Sequence, residues 1–276
     1  EMKDLNDDSI QTQLQVLMHC FLPAYLSRPM LFPILVYKVI EISIKHGNSP
    51  VSAFGFSVFS LLNSGIGQFE EAEKYGEFAQ KLSEKYDFKP MQCSIQQNLV
   101  VSYYPQLHSY KKSIEQARTA IFSGLESGDV LFTGLLHLHL SAQLFANGDN
   151  LDYVIRECLK SAEICDSTMQ VRSPLIKGIA FVCANLSGDS KLSEEIGTYN
   201  WDEARKYYSE LGSYGDLCNM FLYEGIDCFY KGKYEEALQL FDEVKKLEDN
   251  IMGVFYQNEF NFYYALSALL SSKKSK

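Results

Sequence analysis

Positive charge is scarce in this chain. Lys and Arg total 25 against 35 Asp and Glu, a formal charge of −10 over 276 residues. No basic stripe is available to neutralise phosphates, which argues against nucleic acid as a direct partner. Anionic lipid would repel such a chain, which argues against a membrane surface. No run of about 18 uncharged apolar residues occurs. The most apolar window, Met30 to Ile44, carries Lys38 and Glu41 and reads as a buried helix. The N-terminus lacks the charged-then-apolar-then-small pattern of a secretion signal. Seven cysteines, an odd and scattered set, imply buried reduced thiols and a cytoplasmic compartment rather than a disulfide framework. Cys158 and Cys165 on one helix would lie about 10 Å apart, beyond disulfide reach.

Catalytic signatures are missing as well. There is no G-x-x-x-x-G-K-[ST] loop, no G-x-G-x-x-G after a strand, no H-E-x-x-H, no paired C-x-x-C and no G-x-S-x-G elbow. His137-Leu138-His139 places two imidazoles on opposite sides of a helix, so they cannot share a metal. One is expected to pack and the other to face a groove. His19-Cys20 reads as core. The acidic pairs Glu70-Glu71, Glu194-Glu195 and Glu235-Glu236 fall at predicted helix starts, where they complement the helix dipole rather than act as acid and base. No catalytic residue, metal or cofactor is expected, and the chain reads as a non-enzyme.

What the chain does have is rhythm. Small-residue breaks fall at Gly67, Leu107-His108-Ser109, Gly148, Gly188 and Gly232, in steps of about 41, 40, 40 and 44 residues. A second series lies between them, at Gly47-Asn48, Asp87 to Lys89, Gly128-Asp129, Ser167-Thr168, Gly212-Ser213 and Asp249-Asn250. A period in this range marks stacked repeats that cannot bury their apolar faces alone. Eighteen Phe and eighteen Tyr supply large rings to fill the gaps between them. The expected fold is all-α: an α-solenoid of antiparallel helix hairpins in a right-handed superhelix.

Inner helices are predicted at 50–66, 90–106, 129–146, 169–187, 213–231 and 251–271, and outer helices at 69–86, 109–127, 151–166, 200–211 and 234–248. An earlier pair runs from Asp8 to His46, broken at Pro23 and Pro29, with Pro29 starting its second helix. Gly47 is expected to close that helix in left-handed geometry, and Ser49 and Pro50 to start the next as N-cap and N1. Segment 188–199 inserts extra residues and accounts for the longer last step. The expected organisation is one solenoid domain, 1–276, with capping helices at 1–47, five hairpins at 48–250 and a C-terminal helix at 251–276. The chain opens with Glu1 and ends in Ser-Lys-Lys-Ser-Lys, and it reads as a piece of a longer protein.

The hairpin at 213–250 is the most detailed. Gly232 permits its turn, Ala237 sits where the two helices cross, and Gly225 allows close approach. Phe241 and Val244 follow at helical spacing and face the next unit. This arrangement resembles the tetratricopeptide motif. The pattern returns at Gly67-Gln68-Phe69-Glu70-Glu71-Ala72 and, weaker, at Asn200-Trp201-Asp202-Glu203-Ala204. The period exceeds the standard 34 residues, so the units are tetratricopeptide-like.

A solenoid binds along its concave face, which directs attention to polar residues on inner helices. Gln92, Gln96, Tyr103, His137, Asn219, Gln257, Asn258 and Asn261 are the candidates for contacting a partner, since an amide can hydrogen-bond an extended peptide without reading its sequence. The expected partner is a protein or peptide. The last helix carries Phe255, Tyr256, Phe260, Phe262, Tyr263 and Tyr264 with nothing after it to cover them. Its expected cover is a further unit or a second copy of the chain, forming a homodimer.

A longer-range resemblance rests on Phe21-Leu22-Pro23-Ala24-Tyr25-Leu26-Ser27-Arg28-Pro29 through Lys45-His46-Gly47-Asn48-Ser49-Pro50-Val51-Ser52-Ala53-Phe54, and on Gly67 to Tyr86. These segments resemble the helical-repeat region of large multidomain signalling proteins that join a serine/threonine kinase-like domain, a STAND/AAA-type ATPase, a GAF domain and a sensor histidine kinase. That resemblance implies a non-catalytic sensing or interaction arm whose partners include other domains of the same polypeptide. Tyr103-Tyr104-Pro105 stands where that family tends to carry a tryptophan. The alternative is a peptide-pheromone-binding repeat domain of a quorum-sensing type transcription regulator.

Overall fold

A computed structural model of the chain describes residues 3–28, 30–188, 194 and 196–274. Among these the regular structure is helical, with one isolated parallel bridge between Asp4 and Asn48. The helices pack as two compact units, Glu1–Thr133 and Gly134–Lys276.

The first unit begins with α1 (Asp8–His19), α2 (Phe21–Ser27) and α3 (Leu31–His46), followed by α4 (Pro50–Gly65), α5 (Phe69–Tyr86), α6 (Lys89–Asn98), a π-helical turn (Leu99–Tyr103), α7 (Tyr104–Leu107) and α8 (Tyr110–Ser127). The division between the units falls within α9 (Val130–Ala146). The second unit contains α10 (Leu151–Ser167), α11 (Ser173–Ser187), α12 (Trp201–Glu210), α13 (Tyr214–Tyr230), α14 (Tyr234–Lys246), a 3-10 turn (Glu248–Ile251) and α15 (Tyr256–Lys274). In each unit consecutive helices pack on one another, as hairpin repeats require.

Three of the predicted breaks are one device repeated. Gly67, Gly148 and Gly232 have φ of 76, 75 and 72°, and the residue after each donates to a carbonyl five residues back: Gln68 to Asn63 at 2.9 Å, Asp149 to Leu144 at 3.2 Å, Lys233 to Cys228 at 3.0 Å. These are Schellman caps, which satisfy the last carbonyls of an ending helix. Glu70-Glu71 and Glu235-Glu236 lie in the first turns of α5 and α14, against the positive end of the helix dipole. Ser49-Pro50 opens α4 as expected, with the Ser49 amide donating to Ser52 Oγ at 3.0 Å.

Several expectations are corrected. Pro23 breaks nothing: it is the third residue of α2, where a helix needs no N–H donor, and the break falls at Cys20. His19 and Cys20 are exposed rather than core, because they sit at the frayed end between two short helices. Gly47 has φ 114° and ψ 170°, a glycine-only extended geometry rather than the left-handed helical one. The helix predicted from 169 starts at Ser173, after Met169 turns the chain at φ 52°. The last helix starts at Tyr256 instead of 251. Four of its rings are covered: Phe255, Tyr256, Phe260 and Tyr263 are buried, and Phe262 stays exposed. Pro29, residues 189–193 and Glu195 lie outside the described residues, so the expected start of the second helix, most of the 188–199 insertion and the Glu194-Glu195 pair do too.

Glycines seat rings between helices. A Cβ at Gly76 on α5 would come within 2.7 Å of the Tyr103 ring, and one at Gly178 within 3.2 Å of Trp201. Each close approach replaces a side chain on one helix with an aromatic from a neighbour, which keeps the packing dense. Phe241 meets Phe260 at 6.2 Å and Tyr264 at 6.5 Å between ring centres, so it does face the following helix.

Candidate functional site

In the first unit, α6 carries Gln92 and Gln96 one turn apart on one side. Gln92 Nε2 donates to Asp87 Oδ1 at 2.8 Å, which ties it to the end of α5. Gln96 Nε2 donates to Gln80 Oε1 at 2.7 Å, and Tyr104 Oη donates to the same oxygen at 3.2 Å. Gln96 Oε1 is buried and accepts nothing from the described residues.

Tyr103, the expected contact, is buried, with its ring over Gly76 and edge-on to His108 at 4.8 Å. Burial pushes its hydroxyl pKa up to about 12. The reason for the exchange with Tyr104 is the π-helical turn. One extra residue between Leu99 and Tyr103 rotates everything beyond it by about 100°. The position that regular spacing gives to Tyr103 therefore passes to Tyr104. Pro105 lies just past the turn: it has no N–H to give a carbonyl of the preceding turn, and Ser113 Oγ donates to the Val100 carbonyl at 2.9 Å. Proline just after an apolar helical run was the sequence signal that could have exposed the shift.

In the second unit both histidines of the His137-Leu138-His139 stretch are buried, where one was expected to face a groove. His137 Nδ1 lies 3.0 Å from Ser161 Oγ, and His139 Nδ1 lies 3.1 Å from Tyr256 Oη. Burial lowers their pKa to about 4 and about 3, so both are neutral imidazoles. His137 Nε2 has no partner among the described residues. Asn219, on α13, is buried, and its Oδ1 is likewise unpartnered among them. Gln257 is half-buried on α15, while Asn258 and Asn261 are exposed there.

Three of the residues chosen from sequence, Gln96, His137 and Asn219, thus share a property that sequence could not reveal. Each holds a buried polar atom with no partner among the described residues, a state that costs about 1–3 kcal/mol when nothing pairs with it. Gln80 and Tyr104, which position Gln96, were missed. Gln80 lies on an outer helix, and only the packing of α5 on α6 brings it to the site. Among the described residues no group of three or more His, Cys, Asp or Glu is arranged to hold a metal ion. No helix among them is long and apolar enough to cross a membrane.

Paired helices, Schellman-capped turns and small residues at helix crossings define a tetratricopeptide-like helical-repeat fold. The chain is similar to the crystal structure of a Rap protein complexed with competence and sporulation factor, with a TM-score of 0.53 and 12% sequence identity over 99% of this chain and 89% of that one. At that identity the likeness is one of fold. No family profile matches the chain, and no curated protein matches it.

Proposed function

We propose that this chain is a non-catalytic binding module, one repeat domain over 1–276, that takes an extended peptide along its inner helices. One observation carries the reading in each unit separately: an unpartnered buried acceptor on a helix predicted to be inner, Gln96 on α6 in the first unit and Asn219 on α13 in the second. A peptide backbone N–H is the donor such an oxygen lacks, and it reaches the oxygen once the side chains that cover it shift. The likeness to a Rap protein complexed with competence and sporulation factor supports a ligand-binding role for the fold. Gln92, Gln257 and Asn261 stand as further contacts, while Tyr103 and His137 shape the wall from behind. The test is titration with a panel of unstructured peptides, followed by Gln96→Leu and Asn219→Leu. Gln96→Leu removes the unmatched oxygen together with the Nε2 bond to Gln80 Oε1, so its stability should fall by no more than about 1 kcal/mol. Peptide affinity should fall about tenfold in each, since one hydrogen bond carries about 1.4 kcal/mol here. Unchanged peptide affinity in both variants would assign the two amides to the fold alone.

A second reading follows the resemblance at Phe21–Phe54 and Gly67–Tyr86. It makes the module an arm beside kinase and ATPase domains of one cytoplasmic polypeptide. Sequencing the flanking reading frame decides it. Within either reading, Phe262 and Leu269, exposed on α15, are the proposed contact with a second copy. Phe262→Ser with Leu269→Ser should turn a sedimenting dimer into a monomer.

A further inference from the structure

A cleft of about 360 Å³ opens in the first unit between the end of α3, the middle of α4 and the first half of α5. None of the candidate amides lines it, so a ligand seated here is independent of a peptide held at Gln96 or Asn219. Its walls are aromatic. Phe56 stacks on Tyr75 with ring centres 5.9 Å apart and planes 10° from parallel, and Phe78 stands edge-on to Phe56 at 4.7 Å. Beside the hydroxyls of Ser43 and Tyr75, its side-chain hydrogen-bond donors are the ammonium groups of Lys3 and Lys74 and the amide of Asn48. Two cations around one cleft stand out in a chain of net charge −10.

The donors are available. Lys3 Nζ and the Asn48 side chain have no partner among the described residues. Lys74 pairs with Glu71, 3.3 Å away in an exposed pair, which exchanges readily with another carboxylate. Lys74 Nζ also lies 5.2 Å from the centre of the Tyr75 ring, while most of the side chain stays exposed to solvent. The backbone fixes the rest. The Asn48 amide donates to the Lys3 carbonyl at 2.8 Å and the Leu5 amide to the Asn48 carbonyl at 2.9 Å, which fastens Lys3 beside the cleft.

We infer that this cleft binds a carboxylate attached to an apolar, ring-bearing body: the ring lies against the wall formed by Phe56, Tyr75 and Phe78, and the carboxylate is held by Lys3, Lys74 and Asn48. The volume is at the lower end for ligand pockets and suits one terminal residue rather than a folded surface. Two sources share that chemistry, a free aromatic carboxylic acid and the C-terminal phenylalanine of a peptide.

The experiment is an NMR titration of the intact chain with N-acetylphenylalanine, with the peptide acetyl-Gly-Gly-Phe and with the same peptide as its C-terminal amide. Dissociation constants on the order of 1 mM are expected for the acids, as befits a single small anchor. The amide should bind about tenfold more weakly. Lys3→Gln and Lys74→Gln are exposed positions that leave the fold intact, and each should weaken the acids about threefold, with the effect shrinking in high salt. Tighter binding of the peptide acid than of N-acetylphenylalanine assigns the source as a chain end, and the reverse order assigns it as a free acid. Equal binding of acid and amide, no response to either lysine substitution, or no binding of any probe overturns the inference.

Discussion

Gly225 and Phe241 share a single volume: a Cβ added at Gly225 would come within 2.4 Å of Phe241 Cε1. Phe241 is fully buried between α13, α14 and α15 and has no room to withdraw. Gly225→Ala should therefore destabilise the protein by about 1–3 kcal/mol, despite the better helix propensity of alanine. Urea unfolding measures it. With Phe241→Leu the two changes should couple favourably by at least about 0.5 kcal/mol in a double-mutant cycle.

The N-terminal segment is held by a clasp. Tyr86 Oη lies 2.8 Å from Asp4 Oδ1 and 2.7 Å from the Asn48 carbonyl, and Lys85 pairs with Asp4. A Cβ at Gly47 would come within 2.7 Å of the Asp4 carbonyl, in a backbone geometry that only glycine adopts readily. Gly47→Ala should cost about 2 kcal/mol, and Tyr86→Phe about 1 kcal/mol. In both, the Leu5 and Asn48 amides should exchange with deuterium faster while those of α8 keep their protection.

Stability should fall in mild acid. The folded chain keeps His137 and His139 neutral down to about 4 and about 3, whereas the unfolded chain takes up protons below about 6.5. Their contribution is complete above about pH 6.5 and is lost as pH drops through the window toward those depressed values. At pH 5 each histidine should cost about 2 kcal/mol. Asp129, whose carboxyl is raised by burial, works in the opposite sense in the carboxylate range. Urea midpoints at about pH 7.5 and pH 5 measure the sum. His137→Asn should remove roughly half of the decline, and an unchanged decline would mean that His137 is not the titrating group.

Thiol reactivity should divide sharply. Cys20 is exposed, Cys228 is half-buried, and Cys93, Cys158, Cys165, Cys183 and Cys218 are buried with thiol pKa raised by desolvation. Only the thiolate reacts, so alkylation of the folded protein should label Cys20 first and Cys228 slowly. The other five should react only on unfolding. Peptide mapping by mass spectrometry reads the order.

The helix inventory was legible in the sequence because its signals are local. A glycine at a helix end, Ser-Pro at a helix start and apolar positions at 3.6-residue spacing act within a few residues of themselves. That is why the hairpins at 50–86 and 213–250 came out within a few residues of their observed bounds. The misses share a different cause. Pro23 and His19-Cys20 depend on how two short helices divide a segment too small to show a period. The π-helical turn at Leu99–Tyr103 gives its Val100 carbonyl to Ser113, which lies on the next helix.

The candidate site was less legible. An amide on an inner helix is easy to find, but whether its oxygen is already spent is decided by residues far along the chain. Gln92 is tied to Asp87, and Gln96 gives its Nε2 to Gln80, which Tyr104 also holds, while the Gln96 oxygen has no partner among the described residues. The amino-acid sequence by itself determined an all-helical chain of capped hairpins, since propensity, capping and periodicity are short-range. Tertiary packing alone decided which ring fills which glycine gap, which imidazoles lose their charge and which buried oxygens remain unmatched. Those properties depend on distance and desolvation between groups that the backbone brings together from different helices.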